Sequence, residues 1–131
     1  MPTPIVVSAV VLRDAEGRVL TVRKRGTELF MFPGGKHEPG ESAAQAAVRE
    51  THEELGVELE PALLTPLGTF VAAAANEDGY EVHADVFAHP PVVIGEPLAE
   101  IEELRWVAPD APTVPLAPLL RDHVFPVLAA Q

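Results

Sequence analysis

Three glutamates occupy one turn of a predicted helix. Glu50, Glu53 and Glu54 stand at positions i, i+3 and i+4. At about 100° per residue, this spacing places the three carboxylates on one helical face about 100° wide, clear of the apolar stripe of the helix. Clustered carboxylates are the ligands that a hard cation such as Mg²⁺ or Mn²⁺ prefers. A solvated acidic face shows the same spacing, because like charges at i and i+4 cost only about 0.2–0.5 kcal/mol per pair.

The segment around these glutamates favours the metal-binding alternative. Residues 35–57 read GKHEPGESAAQAAVRETHEELGV and match G-x5-E-x7-R-E-U-x-E-E-x-G-U, where U is bulky and apolar. Seven positions are fixed identities, and their chance occurrence at a given start is on the order of 10⁻⁸. Thr51 departs from the pattern, and we expect its hydroxyl to bond back to a carbonyl one turn earlier. This pattern is the signature of the Nudix hydrolases, which the chain resembles.

Two flanking segments agree with the resemblance. The lead-in FPGGK at 32–36 is usual in MutT-type members, and RWV at 105–107 before a C-terminal helix is typical of them. The resemblance implies an α/β/α sandwich in which the signature forms a loop–helix–loop. It also implies hydrolysis of a nucleoside diphosphate linked to another moiety.

The resemblance assigns metal ligands to this sequence. Glu53 and Glu54 would be the main ligands, together with the backbone carbonyl of Gly34. Glu50 would ligate another ion or accept a proton from the attacking water. Such cations are needed because a diphosphate repels nucleophiles by its own charge, and Mg²⁺ or Mn²⁺ neutralises that charge.

Other signature residues would support these ligands. Arg49 would orient a neighbouring carboxylate, and Glu41 would brace the loop. Relatives with two or three ions often take one acid from outside the helix, and the candidates here are Glu77, Asp85, Glu100, Glu102 and Glu103. Glu102 and Glu103 are favoured by position, although both are equally explained as flanking a surface strand.

Basic and aromatic residues suggest how a nucleotide could be held. Arg23, Lys24, Arg25 and Lys36 are four of nine basic residues and lie just before the helix, which indicates phosphate contacts. Strand alternation explains Arg23 and Arg25 equally well as residues of a solvated face. The aromatic residues that could stack on a base, or simply fill the core, are Phe30, Phe70, Tyr80, Phe87 and Trp106.

Turn and strand patterns place these residues in a fold. Ile5 to Leu12 and Arg18 to Arg25 read as a hairpin around a turn at 14–17. Leu29 to Phe32 reads as a short strand, and Pro33 to Gly35 predicts an irregular loop. Ser42 and Gln45 form a predicted capping box, and Gly56 is a predicted left-handed cap, so that a helix with a buried stripe lies between them.

The second half predicts further strands and one more helix. Leu63 to Ala75 and Tyr80 to Ala88 form a predicted hairpin around residues 76–79, and Glu102 to Val107 a last strand. Leu116 to Leu128 reads as a helix that Pro118 and Pro126 shorten or kink. The order β-β-β-α-β-β-β-α predicts an α/β fold with a mixed sheet and a helix on each face.

Composition limits the class of protein. The 131 residues carry a formal net charge of −11 and no cysteine, which excludes disulfides, thiol nucleophiles and Cys/His zinc clusters. The length fits a single domain over residues 1–131. Acidity disfavours nucleic-acid polymers and anionic membranes as partners. The apolar N-terminal run is short and lacks a basic region, so we expect a cytoplasmic protein.

The function that these observations favour is metal-dependent hydrolysis of a small nucleotide. Our preferred substrate is a (d)NTP or an oxidised (d)NTP, cleaved to the monophosphate and pyrophosphate. ADP-ribose or a nucleotide sugar is the alternative substrate, although residues 72–75 (AAAA) lack the proline of ADP-ribose hydrolases. A Nudix-fold domain that binds without hydrolysis is a further alternative, which the presence of all three glutamates disfavours. The oligomeric state is open and admits a homodimer.

Overall fold

The elements follow the predicted order of three strands, a helix, three strands and a helix. The computed structural model of the chain describes residues 3–75 and 78–131. Its strands and α-helices are β1 (Thr3–Val11), β2 (Val19–Lys24), β3 (Gly34–Lys36), α1 (Ala43–Leu55), β4 (Thr65–Ala73), β5 (Tyr80–Ala88), β6 (Ile101–Val107) and α2 (Phe125–Ala129). A 3₁₀ turn over Pro61–Leu63 precedes β4, and a π-helical segment over Leu119–Val124 precedes α2. Of the described residues, no helix is long and apolar enough to cross a membrane.

The main sheet is mixed. Its strand order is β3-β1-β5-β4, with β1 parallel to β5 and the other neighbours antiparallel. Strands β2 and β6 form a separate antiparallel pair. Strand β4 is an outer strand, carries no charged side chain, and pairs on its outer edge with no other strand of the described residues.

Side-chain alternation along β1 creates a core on each face of the sheet. Ala9 and Val11 pack in one core with the C-terminal helical segments, whereas Val10 and Leu12 pack in the other with α1. Both cores need apolar side chains, which is why residues 9–12 (AVVL) are continuously apolar instead of alternating. The predicted α/β fold with a helix on each face is therefore confirmed.

The predicted hairpin between the first two strands is wrong beyond its turn. The turn forms, since the Asp14 carboxylate accepts backbone N–H groups of Glu16 (3.0 Å) and Arg18 (2.8 Å). Next to the turn, the Leu20 N–H donates a hydrogen bond to the Leu12 carbonyl (2.9 Å). Beyond this bond, however, β1 pairs with β3 and β5, whereas β2 pairs with β6. A strand that is apolar on both faces gains more from the sheet centre than from its neighbour in sequence.

The predicted strand and loop before the helix are also exchanged. Phe30 and Met31 make only isolated bridges, and the regular strand β3 runs through Gly34, where a loop was expected. A Cβ at Gly34 would collide with the Ser8 carbonyl oxygen. The glycine therefore permits close pairing of β3 with β1 where we predicted that it would end the strand.

Helix α1 begins and ends as predicted. The Ser42 hydroxyl accepts the Gln45 N–H (3.1 Å), and the Gln45 side-chain oxygen accepts the Ser42 N–H (2.8 Å). Gly56 closes the helix in the left-handed region at φ +69°, and its N–H donates to the His52 carbonyl (2.9 Å). These caps fix both ends of the turn that carries the three glutamates.

The C-terminal helical region follows its prolines. Pro118 precedes the π-helical segment, and the Phe125 N–H donates to the Leu120 carbonyl five residues earlier. Pro126 lies in the first turn of α2, where its missing N–H leaves no helix bond unmade. The pairing of β4 with β5 is confirmed, and the predicted turn residues Asn76 and Glu77 lie outside the described residues.

The Thr51 hydroxyl does not make its predicted bond. Thr51 is fully buried, and its Oγ1 atom has no hydrogen-bond partner among the described residues. The expectation of a bond to a carbonyl of the preceding turn is therefore wrong. A buried hydroxyl without a partner destabilises the fold.

We expect Thr51→Val to stabilise the protein. Valine keeps the shape of threonine and removes the unpaired hydroxyl, so the free energy of unfolding should rise by about 1–2 kcal/mol. Urea unfolding measures the change. Thr21→Val is the matched control, because the equally buried Thr21 hydroxyl donates to the Arg105 carbonyl (2.9 Å) and its loss should destabilise. A lower stability of Thr51→Val would contradict the prediction.

Candidate active site

The three glutamates of helix α1 differ in their exposure to solvent. Glu54 is 4% exposed, while the Glu50 and Glu53 side chains are 17% and 51% exposed. The expectation that all three lie clear of the buried stripe is therefore wrong for Glu54. The reason is the nearby strand β3, whose Gly34 N–H donates to Glu54 Oε1 (3.0 Å). One carboxylate of the face is thus held between helix and sheet.

Burial alters the acidity of Glu54. Loss of solvent, together with the neighbouring charges of Glu50 and Glu100, raises the pKa of Glu54 from its ordinary 4.5 to a net value of about 8. The Gly34 N–H and the Lys24 ammonium oppose this shift without cancelling it. Glu54 therefore holds its proton at neutral pH in the metal-free protein.

This shift predicts a pH-dependent stability. As pH rises from 4.5 towards 8, Glu54 ionises in the unfolded chain but stays neutral when folded. The free energy of unfolding therefore falls across this window, by on the order of a few kcal/mol. Urea unfolding at pH 5 and pH 8 with EDTA should show the fall. Glu54→Gln should remove it, and an unchanged slope in that variant would refute the assignment.

Glu50 lies directly over a glycine. A Cβ at Gly35 would collide with Glu50 Oε2, so the carboxylate occupies the space of the missing side chain. Burial raises the pKa of Glu50, and the Glu53 carboxylate adds to the rise, while Arg49 opposes it. The site thus contains two partly desolvated carboxyls close to the exposed Glu53.

Arg49 ties the signature loop to the helix. Its guanidinium donates two bonds to Glu41, from Nε (2.7 Å) and Nη2 (2.9 Å), and these bonds lower the pKa of Glu41 to about 2. Arg49 also donates to Glu50 Oε1 (3.0 Å) and to the Lys36 carbonyl (3.0 Å). Because Oε1 of Glu50 is held in this way, its Oε2 is the oxygen left over Gly35.

A cavity of about 470 Å³ opens beside these residues. Its charged lining residues, which we call the polar end, are Lys24, Lys36, Glu38, Arg49, Glu50 and Glu100, together with His37. Its apolar lining residues, which we call the apolar end, include Val7, Met31, Phe32, Val82 and Leu120, and all five pack in or against the core that contains the C-terminal helical segments. The cavity therefore suits a ligand with one charged and one apolar part.

The predicted basic residues divide into two pairs. Lys24 and Lys36 line the cavity. Arg23 and Arg25 instead form ion pairs with Glu103 (3.2 Å) and Glu102 (3.3 Å), respectively. None of these four residues is among the described residues that line the cavity. Alternation along the chain separates Lys24 from its neighbours Arg23 and Arg25, whereas Lys36 lies on β3.

Of the candidate outside acids, Glu100 lies at the cavity. Its carboxylate is 3.6 Å from the Lys24 ammonium, and its charge acts on Glu54. Asp85 accepts the Thr69 hydroxyl on β4 (2.8 Å), and Glu77 lies outside the described residues. The sequence identified Glu100 as a candidate acid but could not favour it over the other candidates. Its position depends on a register shift at Arg23/Lys24 in the pairing of β2 with β6.

None of the five aromatic candidates is among the described residues that line the cavity, whereas two residues that we did not predict, Ser8 and His37, line it. Phe30 and Phe87 are buried in the cores, and Phe32 is the aromatic residue of the described lining. Ser8 is buried, and its hydroxyl donates to the Ala43 carbonyl (2.6 Å). That hydroxyl must then accept from His37 Nε2 (2.8 Å). No local pattern indicates this pair, because 29 residues separate its members.

The donor set fits a hard divalent cation. Among the described residues, no three His, Cys, Asp or Glu side chains are already gathered in a group that could hold an ion. Glu50, Glu53 and Glu54 nevertheless offer only oxygen ligands, and the pKa values of Glu50 and Glu54 are raised by burial and by neighbouring carboxylates, both of which a bound cation would offset. Mg²⁺ or Mn²⁺ would supply positive charge and draw the carboxylates together.

Comparison with known proteins agrees with this site. A family model described as the NUDIX domain matches residues 2–129. CTP pyrophosphohydrolase from Escherichia coli (strain K12) is 38% identical over 120 residues, covering 86% of this chain and 82% of that protein. RNA pyrophosphohydrolase from Klebsiella pneumoniae (strain 342) is 42% identical over 48 residues, covering 37% and 27%.

A solved structure shows the same architecture over the whole chain. The MutT NUDIX hydrolase from Burkholderia pseudomallei superimposes with a TM-score of 0.74 at 27% identity, covering 98% of both chains. Sequence signature, fold and relatives therefore agree. The chain belongs to the Nudix family, is MutT-like, and is a hydrolase that acts on phosphoric anhydrides of nucleotides.

Proposed function

We propose that the protein hydrolyses a nucleoside triphosphate, normal or oxidised, to the monophosphate and pyrophosphate in a Mg²⁺-dependent reaction. The observation that carries this proposal is the two-ended cavity beside Glu50. A triphosphate matches the polar end, and a base with its sugar matches the apolar end. The E. coli relative is named for CTP, which makes CTP the first substrate to test.

The proposed metal ligands are Glu53 and Glu54, with the Gly34 carbonyl and Glu100 as further ligands, and Glu50 is assigned its alternative role as proton acceptor. When bound, the cation neutralises the diphosphate and lowers the pKa of a bound water. Mn²⁺ has the same ligand preference and should substitute for Mg²⁺.

Residues of the chain perform the remaining steps. Lys24 and Lys36 bind phosphate oxygens at the polar end. Arg49 holds Glu50 Oε1, so that Oε2 accepts the proton of the attacking water, a role that the raised pKa of Glu50 favours. The water oxygen bonds to the α or the β phosphorus, the P–O bond that bridges them breaks, and the monophosphate and pyrophosphate are released.

A substrate panel tests the proposal. We expect phosphate-anhydride cleavage of nucleoside triphosphates with Mg²⁺ and none with EDTA, with products identified by chromatography. In ¹⁸O water, label in the monophosphate or in the pyrophosphate identifies the phosphorus attacked. Turnover confined to ADP-ribose or a nucleotide sugar would replace the proposed substrate, and binding without turnover would contradict it.

We further propose that residues 1–131 form a single domain, that the protein is cytoplasmic and that it forms a homodimer. Size-exclusion chromatography with light scattering tests the homodimer.

A further inference from the structure

The apolar end of the cavity provides almost no hydrogen-bonding side chains. Val7, Val82 and Leu120 are hydrocarbon, Phe32 is aromatic, and Met31 ends in a flexible thioether. The neighbouring polar lining residue Ser8 uses its hydroxyl on Ala43 and His37. A base placed at this end contacts apolar side chains and is constrained by the shape of the cavity.

Backbone donors at the same end are also engaged. The N–H groups of Met31, Ala74, Ala117 and Leu120 donate to the carbonyls of other protein residues, at 2.7–3.2 Å. Pro118 has no N–H to offer. The fold itself therefore uses these four donors, which could otherwise read the edge of a base.

This chemistry limits discrimination between bases. A site that hydrogen-bonds a substrate group rejects an analogue lacking it by about 10⁴–10⁵, whereas an apolar pocket separates close analogues by only about 10². Met31 is unbranched and adapts its shape to rings of different size. Resting on the function proposed above, we infer that the enzyme is base-tolerant, recognising nucleoside triphosphates through their phosphates and accepting the base by fit alone.

The test compares kcat/KM for CTP, UTP, ATP and GTP at saturating Mg²⁺. CTP and UTP are the sharpest pair, because their rings are alike in size and differ in the donor or acceptor at position 4. We expect these two within about tenfold and all four within about 10². A wider spread overturns base tolerance while leaving triphosphate hydrolysis standing. Hydrolysis of none of the four overturns both proposals.

Substitutions locate the effect. Val82→Thr adds one hydroxyl at nearly constant volume and should change the CTP/UTP ratio several-fold. Val71→Thr on neighbouring β4, 45% exposed and outside the described lining, should leave that ratio unchanged. An unchanged ratio in Val82→Thr would overturn the placement of the base.

Three further side chains are tested directly. Asn76 and Glu77 follow the lining residue Ala75 in sequence, and His37 keeps its Nδ1 atom available for a base. The double variant Asn76→Ala/Glu77→Ala and the single variant His37→Ala should both preserve the ranking of the four bases. A change in ranking of more than tenfold in either variant would overturn the inference.

Discussion

Glu53→Gln should lower kcat by at least ~10²-fold. Glutamine keeps the shape of glutamate but removes the negative charge that a divalent ion requires. Glu53 is the most exposed of the three glutamates, and Arg49 reaches its Oε1 at 3.3 Å, so its loss should disturb folding little. Steady-state kinetics at saturating Mg²⁺, together with circular dichroism, measures both effects.

Glu58→Gln is the matched control for this substitution. Glu58 lies just beyond α1, its side chain is 79% exposed, and its contact is His52 at 3.4 Å. The same chemical change there should leave kcat unaltered. Near-normal turnover by Glu53→Gln would place the metal elsewhere, and magnesium titration of both variants would show whether ion affinity had changed.

Gly35→Ala should lower kcat by a similar factor although it replaces no charged residue. The added Cβ would occupy the position of Glu50 Oε2, so the carboxylate must move. Because the obstacle is the end of a flexible side chain, the fold can adjust while Glu50 loses its place. We therefore expect kcat to fall at least ~10²-fold with the melting temperature nearly unchanged.

Gly95→Ala separates this effect from the general cost of replacing a glycine. A Cβ at Gly95 meets no atom within 4 Å, and neither Gly35 nor Gly95 adopts a left-handed backbone. The control should retain full activity. If Gly35→Ala were also fully active, the position of Glu50 over the glycine would be irrelevant to the chemistry.

Features encoded by neighbouring residues could be predicted from the sequence. The capping box of α1, its left-handed Gly56 and the carboxylate spacing follow from interactions within one or two helical turns. The pairing of β4 with β5 also followed, whereas the partners of β1 and β2 did not. The turn at 14–17 is local, but the choice of partners for β1 depends on burial of both its faces by distant segments.

The same distinction applies to the candidate site. The motif named the glutamates, yet the burial of Glu54 depends on Gly34, which lies 20 residues away in sequence. The pairing of Arg23 with Glu103 spans 80 residues, and that of Arg25 with Glu102 spans 77. Such distant partners decide which charged residues face the cavity, and no local spacing reveals them.

The outer strand β4 has a practical consequence for handling the protein. Its nine residues include no lysine, aspartate or glutamate, the side chains that usually keep a sheet margin from recruiting another molecule. At the concentrations used for crystallisation, backbone amides along this margin can template intermolecular association despite the acidic surface elsewhere. A single lysine at Val71 is the simplest protection, and it adds a cationic gatekeeper without entering either core.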